Sequence, residues 1–389
     1  MPDPLRATPS RTAARVRRAP MSAPRRPWLL RLAFGLGACA LALGAGELGL
    51  RTAYGPPPPA VPVFTAVGET ASYFRESGGM VGTTYQFASP EPPFPTRSDV
   101  PRVAFLGGSS VHGGVKDLPT DKEFPALVEG LTGVETLNLA SPSLDSHDIV
   151  RMVEELVRWD FAAIVFYGGH NDFGNIYFNS RYAGATAGVQ ARAQSALEHL
   201  QMYVLLRAVV RTDVSRSGNP PNGRNRGMGG GESVSPAQVA QALEGFEANL
   251  GRMAWLARQH GIPLLLGTPA SCLGDLPTGR QCDVHPCAAE VFASAKAATN
   301  REEQARLLTL ARDIDPVPLR APTVAIEAMR RIATAEGAIL VDPVADLPRD
   351  AGGRMADCDL FWDDIHLEAA GHEAMARLFA PAVTRAVAR

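Results

Sequence analysis

The 389-residue sequence lacks the marks of several large function classes. No stripe of Lys and Arg interleaved with aromatic residues crosses the body of the chain, so the footprint of a nucleic-acid binder is missing. No internal repeat of solenoid type is present. The Gly-rich stretch Gly107-Gly-Ser-Ser-Val-His-Gly-Gly114 runs on into Val115 and not into Lys followed by Ser or Thr, which excludes a phosphate loop. No uncharged apolar run reaches the roughly 20 residues of a full membrane span. Cysteine is scarce, with five in the whole chain.

What is present has the composition of an ordinary globular protein, 46% hydrophobic and 20% charged, enough for one large domain or two modest ones. The formal net charge of -2 hides an asymmetry, because residues 1–31 hold eight Arg, no Lys and one Asp. The head is basic and the body acidic. Residues 1–27 read as a basic cytoplasmic segment and 28–50 as a membrane anchor or signal segment. Within the latter, Leu32 to Gly46 is uncharged and apolar, Trp28, Leu29 and Leu30 extend it backwards across Arg31, and Glu47 and Arg51 close it. Arg25, Arg26 and Arg31 ahead of the run place the N-terminus in the cytoplasm and the rest outside, by the positive-inside rule. The expectation is a single-pass inner-membrane protein with a periplasmic or extracellular body. An uncleaved anchor leads over lipidation at Cys39, in Leu36-Gly-Ala-Cys39, and over ordinary cleavage.

Residues 51–100 read as a Pro/Gly-rich linker and irregular lead-in, with Gly55-Pro56-Pro57-Pro58-Pro59 as a stiff spacer. From residue 101 to 389 short apolar runs alternate with amphipathic stretches. Strands are expected at Arg102–Leu106, Val134–Leu139, Ala163–Tyr167, Ile262–Leu266 and Ala338–Val341, and helices at about 123–131, 146–158, 190–212, 237–259, 300–314 and 322–335. Continuously apolar strands separated by helices imply a parallel sheet covered on both faces. The expected fold is one doubly wound α/β domain with a mostly parallel five-stranded sheet. Ser215–Pro236, dense in Gly, Asn, Ser and Pro, reads as a flexible surface loop.

In such a sheet ligands sit at the carboxyl ends of the strands. After the first strand, Gly107 and Gly108 permit a tight turn that pushes out the Ser109 hydroxyl, while the following helix aims backbone N–H groups at developing negative charge. After the third strand comes Tyr167-Gly-Gly-His-Asn-Asp172. There Asn171 can offer its NH₂ to an oxyanion, and Gly169 can let the backbone approach a substrate; an Asx-type turn is the plainer alternative. After the last strand comes Leu360-Phe-Trp-Asp-Asp-Ile-His-Leu-Glu-Ala-Ala-Gly-His372. Asp363 and His366, three apart, can bring a carboxylate to the imidazole Nδ1 and leave Nε2 to take a proton from Ser. His372 reads as a helix-capping or surface histidine.

These blocks, Gly107-Gly108-Ser109, Gly169-His170-Asn171-Asp172 and Asp363-Asp364-Ile365-His366, resemble in order the Gly-Asp-Ser, Gly-x-Asn-Asp and Asp-x-x-His blocks of the SGNH (GDSL-like) hydrolase superfamily. The resemblance runs from about Arg102 to the C-terminus and implies a flavodoxin-like SGNH fold. It makes Ser109 the nucleophile, His366 the general base and then acid, and Asp363 its orienting partner. Asn171 would complete an oxyanion hole with the backbone N–H groups of Ser109 and of Ser143, the latter in a second block, Asn138-Leu-Ala-Ser-Pro-Ser143. Two positions depart from the family pattern: Gly108 stands where Asp is usual, as in a Gly-Gly-Ser subgroup, and Ser143 where Gly is usual. The implied reaction is acyl transfer from an ester through an acyl-enzyme, with no metal or organic cofactor needed.

Cys272, Cys282, Cys287 and Cys358 lie in the body, and an even number outside the cytoplasm suggests two disulfides with three possible pairings. A zinc site of Cys272, Cys282, His285 and Cys287 is the alternative, at a spacing that matches no common structural pattern. On either reading 272–287 is a pinned loop beside the site. Arg320 reads as a surface ion pair, with an anionic substrate as the sharper alternative. The expected partner is an ester substrate, acylated polysaccharide and lipid among the candidates. An O-acyltransferase and a catalytically silent glycan- or lipid-binding module stand as rival readings.

Overall fold

A computed structural model describes residues 27–55, 72–84, 92–113, 118–178, 197, 199–203, 205–206, 233–275, 277–279, 285–347 and 358–388. Five parallel strands form the central sheet: β4 (Arg102–Gly107), β5 (Glu135–Asn138), β6 (Ala163–Tyr167), β7 (Leu264–Gly267) and β8 (Ile339–Val341), in the order β5-β4-β6-β7-β8. The order reverses beside β4, which puts the first βα turn at a topological switch point.

Every residue of β4 and β6 is buried, because alternate side chains enter opposite layers. Ala104 and Leu106 join a core with helices α4 (Ser146–Leu156), α6 (Pro236–Gln259) and α9 (Thr323–Glu336). Val103 and Phe105 join the opposite core, with α3 (Phe124–Thr132) and the C-terminal helix α10 (Ala369–Val387). Local chemistry marks where helices begin and end. Asp145 caps α4 in a reciprocal box with Asp148, Ser235 does the same for α6 with Gln238, and Gly133 closes α3 at φ 69°.

The sequence reading differs from the structure at several elements. Strand β7 is Leu264–Gly267, two residues beyond the expected start. Helices α5 (His170–Phe178), α7 (Ala288–Ala297) and α8 (Arg301–Asp313) fill the rest of the domain, and of these only α8 was expected. Part of the lead-in folds as a three-stranded antiparallel sheet, β1 (Phe74–Ser77), β2 (Met80–Thr83) and β3 (Phe94–Pro95). Phe74, Val81 and Phe94 from this sheet, and Tyr73 just ahead of β1, sink into the first core. The Tyr73 hydroxyl also donates to Asp148 at 2.6 Å, so the lead-in is sewn onto α4. The expected 190–212 helix and 215–236 loop fall mostly outside the described residues.

The anchor segment lies in helix α1 (Pro27–Tyr54) and exposes Phe34, Leu36, Leu41, Leu43 and Leu48. Among the described residues no helix is long and apolar enough to cross a membrane. Near the end of α1, Glu47 accepts backbone N–H groups from Gln201 at 2.7 Å and Met202 at 3.0 Å.

Candidate active site

Strand β4 ends at Gly107, and Ser109 opens the four-residue helix α2 (Ser109–His112). Neither preceding position has room for a side chain. A Cβ at Gly107 would collide with the Tyr167 carbonyl and Val111, and one at Gly108 would collide with the Asn171 amide nitrogen. In this chain the second clash accounts for glycine at position 108, since Asn171 occupies the space a side chain there would fill. Ser109 is half-buried, whereas Ser110 and Ser141 are buried.

The loop before α10 carries Asp363 and His366 across to Ser109. His366 Nε2 lies 2.7 Å from Ser109 Oγ, and Nδ1 lies 2.6 Å from Asp363 Oδ2. Asp363 Oδ1 accepts the backbone N–H of Ile365 at 2.9 Å and of His366 at 2.8 Å, so the three-residue spacing is itself a hydrogen-bonded turn. Burial works against the Asp363 anion, but the hydrogen bonds from the His366 side chain and the two backbone groups outweigh it and hold the carboxyl below its ordinary range. A carboxylate at Nδ1 requires that nitrogen to carry the proton. Nε2 is then the free base facing the serine hydroxyl.

Asn171, at the start of α5, spends one amide hydrogen on the Leu144 carbonyl at 2.8 Å, and its amide nitrogen lies against Gly108. Leu144 belongs to the turn Ser141–Leu144, closed by a 3.2 Å backbone hydrogen bond. Within it Ser143 sits at φ 64°, the one non-glycine residue at positive φ among the described residues. Left-handed backbone costs an ordinary residue roughly 1–2 kcal/mol, so glycine would be the unstrained choice at this position. Asn175 holds the strained residue, donating to the Ser143 carbonyl at 3.2 Å and to Asp145 at 2.8 Å. Gly169, at φ 127°, is buried with Phe246 and Pro269 each 3.3 Å from where its Cβ would lie. Backbone conformation and packing account for that glycine.

Three further groups were not singled out by the sequence. Asp172 is fully enclosed and accepts from both the backbone N–H and the hydroxyl of Ser146, tying α5 to α4. Burial and the neighbouring Asp145 and Asp148 raise its carboxyl well above the usual range. His170 bridges the Ala321 N–H at 3.0 Å and the Ala270 carbonyl at 3.2 Å, and burial pushes it down to about 3, so it is a neutral strut. Trp362 lies stacked on His366. His372, by contrast, behaves as expected of a capping histidine, accepting the Phe124 N–H at the start of α3 at 3.0 Å.

The cysteines resolve in favour of disulfides. Cys272 is bonded to Cys358 and Cys287 is also disulfide-bonded, so these sulfurs are not thiolates and the zinc reading falls. Cys282 lies outside the described residues, and Cys39 is free and exposed. Arg320 is buried and not a surface cation. It donates to the Cys272 carbonyl at 3.2 Å and pairs with Asp315 at 3.5 Å and Asp364 at 3.7 Å. The Cys272 N–H in turn donates to the Asp364 carbonyl at 2.9 Å, so the Asp363–His366 loop is braced from behind.

The chain is similar to solved GDSL-like and SGNH-type hydrolases. One is a GDSL-like lipase from Bacteroides thetaiotaomicron, at 15% identity and a TM-score of 0.37, covering 73% of this chain and 88% of that one. Another is a carbohydrate acetylesterase family member from Sinorhizobium meliloti, at 12% identity and TM-score 0.34, covering 74% and 100%. A third is an alpha/beta hydrolase enzyme from the metagenome of Lake Arreo, at 16% identity and TM-score 0.35, covering 75% and 97%. No family model and no curated protein matches the sequence. At these identities and TM-scores the likenesses carry no argument about the reaction, which rests on the side chains themselves.

Proposed function

We propose that the chain is a serine esterase of SGNH type that cleaves acyl esters, acetyl esters included, through an acyl-enzyme. The observation that carries this reading is the unbroken hydrogen-bonded chain from Ser109 Oγ through His366 to Asp363. An isolated serine hydroxyl is a poor nucleophile at neutral pH and needs a base within hydrogen-bond reach. In the proposed reaction Ser109 Oγ attacks the ester carbonyl while its proton passes to His366 Nε2. The tetrahedral oxyanion is held by the second Asn171 N–H and by the backbone N–H groups of Ser109 and Ser143. Collapse breaks the carbon–oxygen bond to the alcohol, which leaves with the proton from His366. Water then enters by the reverse proton path and releases the acid.

The same proposal places the protein at the cell inner membrane, tethered through α1, with the catalytic domain periplasmic or extracellular and acylated polysaccharide or lipid as its substrate. The exposed apolar side chains of α1, the Arg cluster ahead of it and the oxidised Cys272, Cys287 and Cys358 support this placement. A cytoplasm-only reporter fused after Arg389 and found active would contradict it. For the chemistry, purified protein is expected to release p-nitrophenol from p-nitrophenyl acetate, and Ser109→Ala to abolish the release. Diversion of acetyl to an added glycan in preference to water would convert the reading to an O-acyltransferase.

A further inference from the structure

His366 has two nitrogens, and both are committed: Nδ1 to Asp363 and Nε2 to Ser109. Any other group that acts on the imidazole must do so through its face. Trp362 occupies that face, with ring centroids 5.5 Å apart and planes inclined by 24°. The backbone of the loop brings residue 362 to this face. The Trp362 N–H donates to the His366 carbonyl at 3.0 Å, and the adjoining Phe361 and Leu367, both buried, form an antiparallel bridge. Trp362 remains 36% exposed, so packing into the core does not explain its place.

An aromatic face carries negative potential and attracts a cation set against it. As the Ser109 proton passes to Nε2 the imidazole gains positive charge, so the attraction is stronger in the transition state than in the ground state. We propose that Trp362 is a positioning residue for this proton transfer: its indole keeps the imidazole between Ser109 and Asp363 and favours the imidazolium as it forms. The inference rests on the acyl-transfer reading of the site. In the step itself the Ser109 O–H proton moves to Nε2 as the Oγ–carbon bond forms, and returns to the departing alkoxide as the carbon–oxygen bond breaks. The other ionisable groups around His366 do not duplicate the effect. On its own loop Asp363 contacts the ring edge and Asp364 is paired with Arg320. From α5, His170 is neutral, and from α2 Ser109 is the proton donor.

The test compares Trp362→Phe, which keeps a smaller aromatic face, with Trp362→Leu, which keeps apolar bulk alone. With p-nitrophenyl acetate, kcat is expected to fall roughly three- to tenfold in the Leu variant and less in the Phe variant, with KM within about twofold. Loss of a face that favours the imidazolium also moves the acid limb of kcat/KM to lower pH, by roughly half a unit in the Leu variant. A second arm needs no turnover. In Ser109→Ala protein the indole emission should rise as His366 deprotonates, and this titration should vanish on adding His366→Gln. A Leu variant with wild-type kcat and an unmoved acid limb overturns the proposal, as does an emission titration that His366→Gln leaves unchanged. Absent ester hydrolysis in wild-type protein would defeat the esterase reading, while the emission titration still decides whether indole and imidazole are coupled.

Discussion

Placing a single methyl group at position 108 should disable the proposed oxyanion hole without substituting any of its members. Gly108 has φ -87° and ψ -158°, a backbone that alanine adopts without strain, so Gly108→Ala is a purely steric perturbation. The new Cβ would fall on the Asn171 amide nitrogen, and it would sit 3.4 Å from both Asn171 Cγ and the Leu144 carbonyl oxygen. Asn171 must therefore swing away and give up its 2.8 Å bond to Leu144. That bond is worth about 1 kcal/mol, a shift of a few degrees in Tm, so the protein should stay folded. The lost oxyanion donor is worth roughly 10²–10³ in kcat, about 2.7–4 kcal/mol, with little change in KM. Steady-state kinetics on p-nitrophenyl acetate for Gly108→Ala, Asn171→Ala and the double variant form a cycle. Because both substitutions remove the same donor, the double variant should be about as slow as either single one. Losses that multiply, or a Gly108→Ala enzyme within threefold of wild type, would refute the assignment of Asn171.

Other outcomes follow from the same contacts. Asp363→Asn presents an NH₂ to His366 Nδ1 and forces the proton onto Nε2, so kcat should drop by roughly 10⁴, as the corresponding change does in a serine-protease triad, with KM nearly unchanged. Asp172 has a folded-state pKa raised above its unfolded value, so its proton is held more tightly in the fold; that contribution is fully present below about pH 4 and is lost as pH rises through the folded value. The Tm of Asp172→Asn relative to wild type, measured by calorimetry, should therefore climb between acid and neutral pH, and a constant difference would contradict the buried, proton-holding Asp172. Cys272 and Cys358 close a loop of sequence separation 86, so Cys272→Ser should cost about 4 kcal/mol in chemical denaturation and slow turnover by slackening the loop that carries Asp363 and His366.

What could be read from the sequence was chemistry encoded within a few residues. The Asp363–His366 spacing is a local turn closed by Asp363 itself, and Gly107-Gly108-Ser109 is a strand-to-helix turn whose glycines are demanded by near neighbours. Buried strands such as Ala163–Tyr167 were equally legible, because a run apolar on both faces has few other places in a fold. Features set by distant partners were not. Arg320 looks like a surface residue until Cys272, Asp315 and Asp364 are seen to converge on it, and the stack of Trp362 on His366 has no signature in spacing. The lead-in was misjudged because its strands are short and mixed in polarity; only β1's first residue is buried, and the anchoring Tyr73 hydroxyl finds Asp148 some 75 residues on. Helix α7 was missed although its buried residues Ala288, Val291, Phe292 and Ala295 keep helical spacing, because alanine on both faces blurs the contrast between them.

The proposed chemistry requires that His366 activate Ser109. Incubation of the folded wild-type protein with a fluorophosphonate, followed by peptide mapping, tests this directly, since only an activated serine reacts. Label on Ser109 alone is expected, with Ser110, Ser141 and Ser143 untouched, and His366→Ala should abolish labelling nearly as fully as Ser109→Ala because the pair acts as one unit. Folded wild-type protein that resists the reagent, or label settling on Ser110, would contradict it.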